Sequence, residues 1–299
     1  MKIAFTYNLR ITNTEEEAEF DSPETVEAIA GALASAGHEV EKIEASGPAS
    51  SLVARLEASD PDLIFNTAEG RRGRAREAFY AALFDELGFP YTGSDAYVLT
   101  LTLDKWLTKL VLRDHGIDSP RGQLVTAADV PRIVDSGLRL AYPVIVKPNY
   151  EGSSKGIGTE AVAPDSRSFV ALLKKELSEY EAGVIVEEFV PGVDVTVAFL
   201  EGVGPDGVLA PVDLVFDPSV KNRDNIHDYR LKHIDPAFVK ARCPADLPRD
   251  VAARLKVLSR TVVRALGLRD MARIDYRLGK DGRIYFLEVN ALPALDRGS

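Results

Sequence analysis

The segment Arg273-Ile-Asp275-Tyr-Arg-Leu-Gly-Lys-Asp-Gly-Arg-Ile-Tyr-Phe-Leu-Glu288-Val-Asn290 holds the residues best suited to chemistry. It reads as two strands around a tight turn at Gly279-Lys280-Asp281-Gly282. Strand side chains alternate faces, so Glu288 and Asn290 point one way, and Arg273 and Asp275 share a face of the partner strand. Closing the hairpin brings Asp275 close to Glu288. Two carboxylates and a carboxamide are hard oxygen donors. They suit Mg2+, which takes one or two carboxylates together with phosphate oxygens. The alternative is an edge hairpin whose charges are solvated. Against it, the acids interrupt a run, Ile284-Tyr-Phe-Leu-Glu288-Val-Asn290, that otherwise looks buried.

Two other stretches suit an anion and a nucleoside. Glu151-Gly-Ser-Ser-Lys-Gly-Ile-Gly158 joins two predicted strands. Its glycines and serines let backbone N–H groups approach an anion closely, and Lys155 adds charge. It is not a Walker loop, because Gly-Lys-Ser/Thr is missing and no helix follows directly. Lys147 ends the apolar Val144-Ile-Val strand just before this loop, where it must snorkel or meet an anion. Lys105 is a second candidate cation on a predicted helix; standing alone it would read as solvated. Glu187-Glu188-Phe189-Val190 precedes a Pro-Gly break and Asp194. Such a segment can hydrogen-bond a base edge and place a carboxylate for ribose hydroxyls; the plain alternative is a strand-to-strand turn.

The elements around these residues follow from patterning. The chain has 299 residues, enough for two or three lobes with their own cores. A net charge of −10 argues against duplex nucleic acid and anionic membranes as partners. Cys243 stands alone, so there is no disulfide framework, which fits a reducing compartment. No apolar run reaches transmembrane length, and the N-terminus is too short and polar for a signal peptide. Over about the first ninety residues strands and helices alternate. Residues 2–7, 39–44 and 62–66 read as strands. Helices read at 52–58, at 75–87, and after the Ser22-Pro23 start, which ends at Gly37. That βαβαβ order implies a parallel, helix-covered sheet with ligands beyond the strands' carboxyl ends. Next come a helix at 104–115, strands at 143–147 and near 159–163, a helix at 166–180 and a strand at 184–187. Strands near 193–200 and 208–216, a polar stretch at 217–235 and a long helix at about 250–266 lead to the terminal hairpin.

These pieces stand in a familiar order. Tyr91-Thr-Gly-Ser94, Leu103-Asp-Lys105 with Thr108-Lys109, Val146-Lys147-Pro148 and Glu151-Gly-Ser-Ser154 are followed by Glu187-Glu188-Phe189, Lys232, Ala272-Arg-Ile-Asp275 and Leu287-Glu-Val-Asn290. From about residue 60 onward the chain resembles an ATP-grasp enzyme of the D-alanine–D-alanine ligase family, and more loosely so over its first strand. The resemblance implies an α/β ATP-grasp architecture. An N-terminal parallel βαβ domain would cover residues 1–97, a small central α+β lid domain 98–182, and a C-terminal α+β domain with an antiparallel sheet 183–299. It implies an ATP- and Mg2+-dependent ligase that joins two amino acids through an acyl phosphate, with Mn2+ as a substitute metal, a cytoplasmic location and a part in peptidoglycan synthesis. Small amino acids would be its partners, and it leaves room for a homodimer.

Roles follow by position. Lys105, Lys147 and Lys232 would contact ATP phosphates, with Ser153 and Ser154 in the loop that closes over them. Glu187, Glu188, Phe189 and Val190 would hold adenine, and Asp194, where the family usually has Glu, the ribose. Asp275, Glu288 and Asn290 would hold two Mg2+ ions. Arg273 would stabilise the oxyanion; Lys232 and Ser153 complete the expected catalytic set, and Ser299 is expected at the substrate.

The chain departs from the family pattern in the first substrate's subsite. The usual His-Gly motif is replaced by Asn66-Thr-Ala-Glu69-Gly70-Arg-Arg-Gly-Arg-Ala-Arg76-Glu77, and the acidic motif after the first strand has only residues 15–19 nearby. Glu69, Arg76 and Glu77 are therefore expected to line that subsite, the alternative being a solvated helix start. Leu292-Pro-Ala294 stands where Pro-Gly is usual, and the chain stops at Ser299, short of the family's usual end, which reads as a truncated or clipped C-terminus. These departures keep two other readings open: a ligase of specialised metabolism with different amino-acid substrates, and a non-catalytic nucleotide-binding protein on the same scaffold.

Overall fold

The computed structural model describes residues 1–12, 14–217, 219, 231 and 236–295. Two compact units emerge. One joins Met1–Thr100 to Gly267–Ala272 and the segment from Ala291; the other joins Leu101–Leu266 to Arg273–Asn290. Among the described residues no helix is long and apolar enough to cross a membrane.

The first unit is built on a parallel sheet of β1 (Lys2–Tyr7), β2 (Glu39–Glu44) and β3 (Leu63–Asn66), with β1 central. Strand alternation divides β1 between two cores. Ala4 packs with Ile43, Leu52, Leu56, Ile64 and Phe84. Phe5 and Tyr7 pack with Val26 and Ile29 on the opposite face. Helix α1 (Pro23–Ser35) starts as its sequence requires: the Ser22 hydroxyl accepts the Thr25 N–H at 3.2 Å, and Pro23 occupies the first turn. Helices α2 (Ala49–Ser59) and α3 (Arg76–Leu87) supply the other face, and α4 (Ala96–Leu103) follows.

The second unit holds two sheets. Helix α5 (Lys105–Asp114) leads to β4 (Gly122–Val125), α6 (Val130–Ser136), β5 (Val144–Pro148), β6 (Val162–Ala163), α7 (Ser166–Glu179) and β7 (Val184–Glu188). The sheet order is β4-β7-β5-β6, antiparallel throughout. Val144, Val146, Val184 and Val186 face Phe169, Leu173 and Leu177 of α7. Alternation therefore turns Lys147 and Glu187 to the other face, where the register sets Ile145 against Glu187 and Lys147 against Ile185. The second sheet orders β10 (Val239–Arg242), β9 (Val212–Phe216), β8 (Gly192–Leu200), β11 (Met271–Gly279) and β12 (Ile284–Asn290). Helix α8 (Arg249–Leu266) buries Leu255, Ser259 and Val262, and Ser259 lies 3.0 Å from the Tyr276 hydroxyl.

Several elements differ from expectation. Helices α4 and α6 and strands β4 and β10 are not signalled locally: the Leu99-Thr-Leu-Thr-Leu103 run of α4 alternates as a strand would, and β10 is a short, mostly exposed Val-Lys-Ala-Arg. The strand expected near 159–163 is two residues long after a 3-10 turn, and the one expected from 208 begins at Val212, with Val208 in an isolated bridge to Phe199. Most of the polar stretch 217–235 lies outside the described residues.

Two glycines predict opposite outcomes. A Cβ on Gly192 would collide with the Leu278 carbonyl, so Gly192→Ala should destabilise the protein by about 1–3 kcal/mol. Gly31, inside α1, has nothing near its Cβ position, so Gly31→Ala should stabilise by about 0.5–1 kcal/mol. Urea midpoints of the two variants check both signs.

Candidate active site

In the second unit, an asparagine aligns the lysines. Asn149, just after β5, accepts the Trp106 N–H at 2.9 Å and donates to Asp104 at 2.8 Å. Asp104 also caps α5, accepting the Leu107 N–H at 2.9 Å. Lys105 and Lys109, four residues apart on α5, then lie on one face of the helix, and both are buried. Lys109 donates to one oxygen of Glu187, and Lys147 lies 2.9 Å from the other. Lys105 lies 3.1 Å from Glu288 and donates to the Glu151 carbonyl.

Burial and pairing compete at each of these groups. Burial pulls Lys109 down to about 8 against the opposing pull of Glu187. Burial also works against the charged form of Lys147, but Glu187 and Glu288 outweigh it and hold Lys147 above the usual lysine value. Burial alone would raise Glu187; Lys109 and Lys147 reverse this and hold it below the ordinary carboxylate value.

The hairpin presents its polar residues on one face. Asp275 is the cross-strand partner of Glu288, and Arg273 that of Asn290. Asp275 receives Arg273 at 2.9 and 3.1 Å, Thr196 at 2.8 Å and Asn290 at 3.2 Å. Burial opposes ionisation of Glu288, yet Lys105, Lys147 and Arg273 bring it down to about 2. A charged carboxylate opposite a second carboxylate, with a carboxamide beside them, is a donor set of the hard-oxygen kind that fits Mg2+. Asp194, on β8, pairs with Arg277 at 2.8 Å; burial raises its carboxyl, with Arg277 pulling the other way. In the loop after β5, Ser153 and Ser154 adopt left-handed φ values of 49° and 57°, an uncommon conformation for serine.

In the first unit, the loops beyond β1 and β3 meet through Asn8. Its Oδ1 accepts the Glu69 and Gly70 N–H groups, each at 2.9 Å, and its Nδ2 donates to Tyr80 at 3.2 Å. Arg76 donates to both oxygens of Glu19, at 3.0 and 3.1 Å, and lies 3.8 Å from Glu77. Carboxylate oxygens of Glu19, Glu69 and Glu77 lie within 4.8 Å of one another. The acidic segment 15–19 and the loop 66–77 thus contribute to one cluster. Glu17 serves the loop itself, accepting the Ile11 and Thr12 N–H groups at 2.8 and 2.7 Å.

Sequence reasoning assigned no role to Lys109, Thr196, Arg277 or Glu19 individually. The spacing of Lys105 and Lys109 was a usable signal for the first; Thr196 and Arg277 depend on strand order, which no local pattern carries. Lys232 and Ser299 lie outside the described residues.

A model of the D-ala D-ala ligase C-terminus matches residues 114–299. The D-alanine–D-alanine ligase of Aquifex aeolicus is 30% identical over 276 residues, 92% of this chain and 86% of that one. The chain belongs to the D-alanine–D-alanine ligase family. The ligase of Coprothermobacter proteolyticus is 33% identical over 95% of this chain and 88% of its own. Among solved structures, the Bacillus anthracis D-alanine–D-alanine ligase matches with a TM-score of 0.77 at 22% identity, covering 99% of this chain and 88% of that one; its form complexed with ATP scores 0.71. The fold is ATP-grasp, as the resemblance implied, and the family makes the chain an ATP-dependent ligase forming a peptide bond.

The ion pairs of Glu288 predict a pH signature. A carboxyl lowered in the folded state adds stability that is full above its unfolded value of about 4.5 and lost as pH falls towards about 2. The stability gap between wild type and Glu288→Gln should therefore be widest at neutral pH, narrow below about 4.5 and close near 2. Urea titrations across that range measure it; a gap constant from neutral pH to 2 would refute the pairing.

Proposed function

We propose that the chain joins two amino acids, D-alanine with D-alanine first among them, using MgATP bound in the second unit. The observation that supports this most is the meeting of Lys105 and Lys147 with the Asp275–Glu288 face. Lysines already neutralised by Glu187 and Glu288 can exchange those partners for phosphates. Asp275, Glu288 and Asn290 would hold the metal, two Mg2+ with Mn2+ as substitute. Metal bound there would neutralise charge on the phosphates during transfer to a substrate carboxylate.

Lys105, Lys147 and Lys232 would position the phosphates under the loop of Ser153 and Ser154. Glu187, Glu188, Phe189 and Val190 would hold adenine, and Asp194 the ribose. Arg273 would stabilise the oxyanion formed when the amine attacks the acyl phosphate, a kind of contact worth about 3 kcal/mol per donor. The carboxylate face also argues against a chain that only binds nucleotide, since unused acids among buried groups are unfavourable.

The first substrate would lie at the cluster of Glu69, Arg76 and Glu77, with Glu19 added. An amino acid needs an anion for its ammonium and a cation for its carboxylate, and the cluster offers both. Within the second unit we read the β4-β7-β5-β6 sheet as the lid subdomain and the larger sheet as the C-terminal subdomain, divided near residue 183. The setting would be cytoplasmic peptidoglycan-precursor synthesis, with a homodimer as the oligomer.

Phosphate release and dipeptide formation across pairs of D- and L-amino acids test the reaction. D-alanine should give both in equal amounts, and Glu288→Gln should give neither; phosphate release with no coupled product for any pair would refute the ligase reading. Glu69→Gln should raise the KM of one amino acid by about tenfold and leave that of ATP unchanged. Wild-type values for both would remove the loop from the subsite. ATP should also protect the amides of residues 151–158 from hydrogen exchange, and unchanged exchange at saturating MgATP would refute the lid assignment.

A further inference from the structure

Arg277 is buried, two residues beyond Asp275 on β11. Its Nε donates to the Val190 carbonyl at 3.0 Å, and its Nη1 to Asp194 Oδ1 at 2.8 Å. Its guanidinium carbon stands 5.5 Å from the centre of the Phe189 ring. These three partners lie on the turn between β7 and β8 and on the first residues of β8, the segment read above as the nucleoside's cradle. The backbone repeats the link: the Lys280 N–H donates to the Pro191 carbonyl at 3.0 Å, and Gly192 leaves no room for a Cβ against Leu278.

Stability gives little reason to keep a guanidinium here. Buried ion pairs replaced by well-packed apolar side chains are often neutral or stabilising, so this pair needs another explanation. The planar fork supplies one. It can hold a carbonyl and a carboxylate at fixed separation and angle while its face lies near an aromatic ring, which a point-like ammonium cannot do.

We infer that Arg277 is a positioning residue for the nucleoside, fixing the Val190 carbonyl and the Asp194 carboxylate relative to each other so that base and ribose are recognised as one rigid unit. The inference rests on the reading of Asp194 as the ribose contact. With Oδ1 held by Arg277, the rotation of the carboxylate is set and Oδ2 is the atom presented to the ribose hydroxyls. Arg273, Asp275 and Arg277 also alternate onto one face of β11, so the fork ties the nucleoside to the strand that carries the proposed metal ligand and oxyanion contact.

The test is the binding of ADP, 2′-deoxy-ADP and 3′-deoxy-ADP by titration calorimetry in the full chain, as ratios of Kd. Wild type should prefer the ribonucleotide over at least one deoxy analogue by about tenfold, the loss of one charge-assisted hydrogen bond. Asp194→Ala should bring that ratio close to one. Arg277→Met should do the same with Asp194 intact, and Arg277→Lys, which keeps a cation without the fork, should lower the ratio by at least about threefold. A purely structural role would lower the Tm and leave the ratio where it was. A wild-type ratio in either folded Arg277 variant, with the ratio lost in Asp194→Ala, overturns the inference alone. A wild-type ratio in Asp194→Ala overturns the ribose reading itself, and the inference with it.

Discussion

Burying several charges together is the constraint on which the second unit depends. Lys109 and Lys147 share Glu187, all three buried, and buried Lys105 pairs with the partly exposed Glu288. A buried ion left alone costs several kcal/mol, so each of these groups is tolerable only while its partner is in place. The lysines come from α5 and β5, and the acids from β7 and β12. Helix and strands must therefore meet in one register for the charges to close. With Arg273 and Asp275 included, this group holds one more cation than anion. Burial makes Lys109 hold its proton less firmly than a lysine usually does. The cluster is therefore held together by its own pairs and still complementary to an incoming polyanion.

Strand β11 sets three charged side chains along one axis. Its alternate residues Arg273, Asp275 and Arg277 repeat about every 7 Å, a spacing set by the extended backbone and not by any loop. A site on a strand between two neighbours is stiffer than one on a connection. The loop of Ser153 and Ser154 is of the other kind, long and turned by left-handed serines. The proposed division of labour follows: the strand holds what must not move, and the loop covers what must enter and leave.

Much of this was legible in sequence wherever a local pattern determines the outcome. The Ser22-Pro23 start follows from its cap, and the helices at 104–115 and 166–180 stand close to where they were expected. The hairpin brings Asp275 to within a position or two of Glu288; their direct opposition depends on a register shift between Asp275 and Tyr276 that no local pattern announces. Pairings that depend on strand order were not legible. Lys147 meets Glu187 because β5 and β7 are neighbours, and Thr196 meets Asp275 because β8 and β11 are. Helix α4 was hidden for another reason: its Leu99-Thr-Leu-Thr-Leu103 run alternates as a strand would, and context overrides that pattern.

The first unit carries a second charged cluster under the same constraint. Asn8 ties the loops beyond β1 and β3 together through the Glu69 and Gly70 N–H groups and the Tyr80 and Ser46 hydroxyls. That anchoring is indifferent to the side chains the loop displays. Arg76 and Glu19, by contrast, form an ion pair that is itself buried, with Glu77 beside it. Removing one member of the buried Arg76–Glu19 pair would strand the other, as it would in the lysine–glutamate cluster of the second unit. Sequence change in the first unit's loop should accordingly be tolerated best at the exposed positions 71–75, between the buried groups on either side.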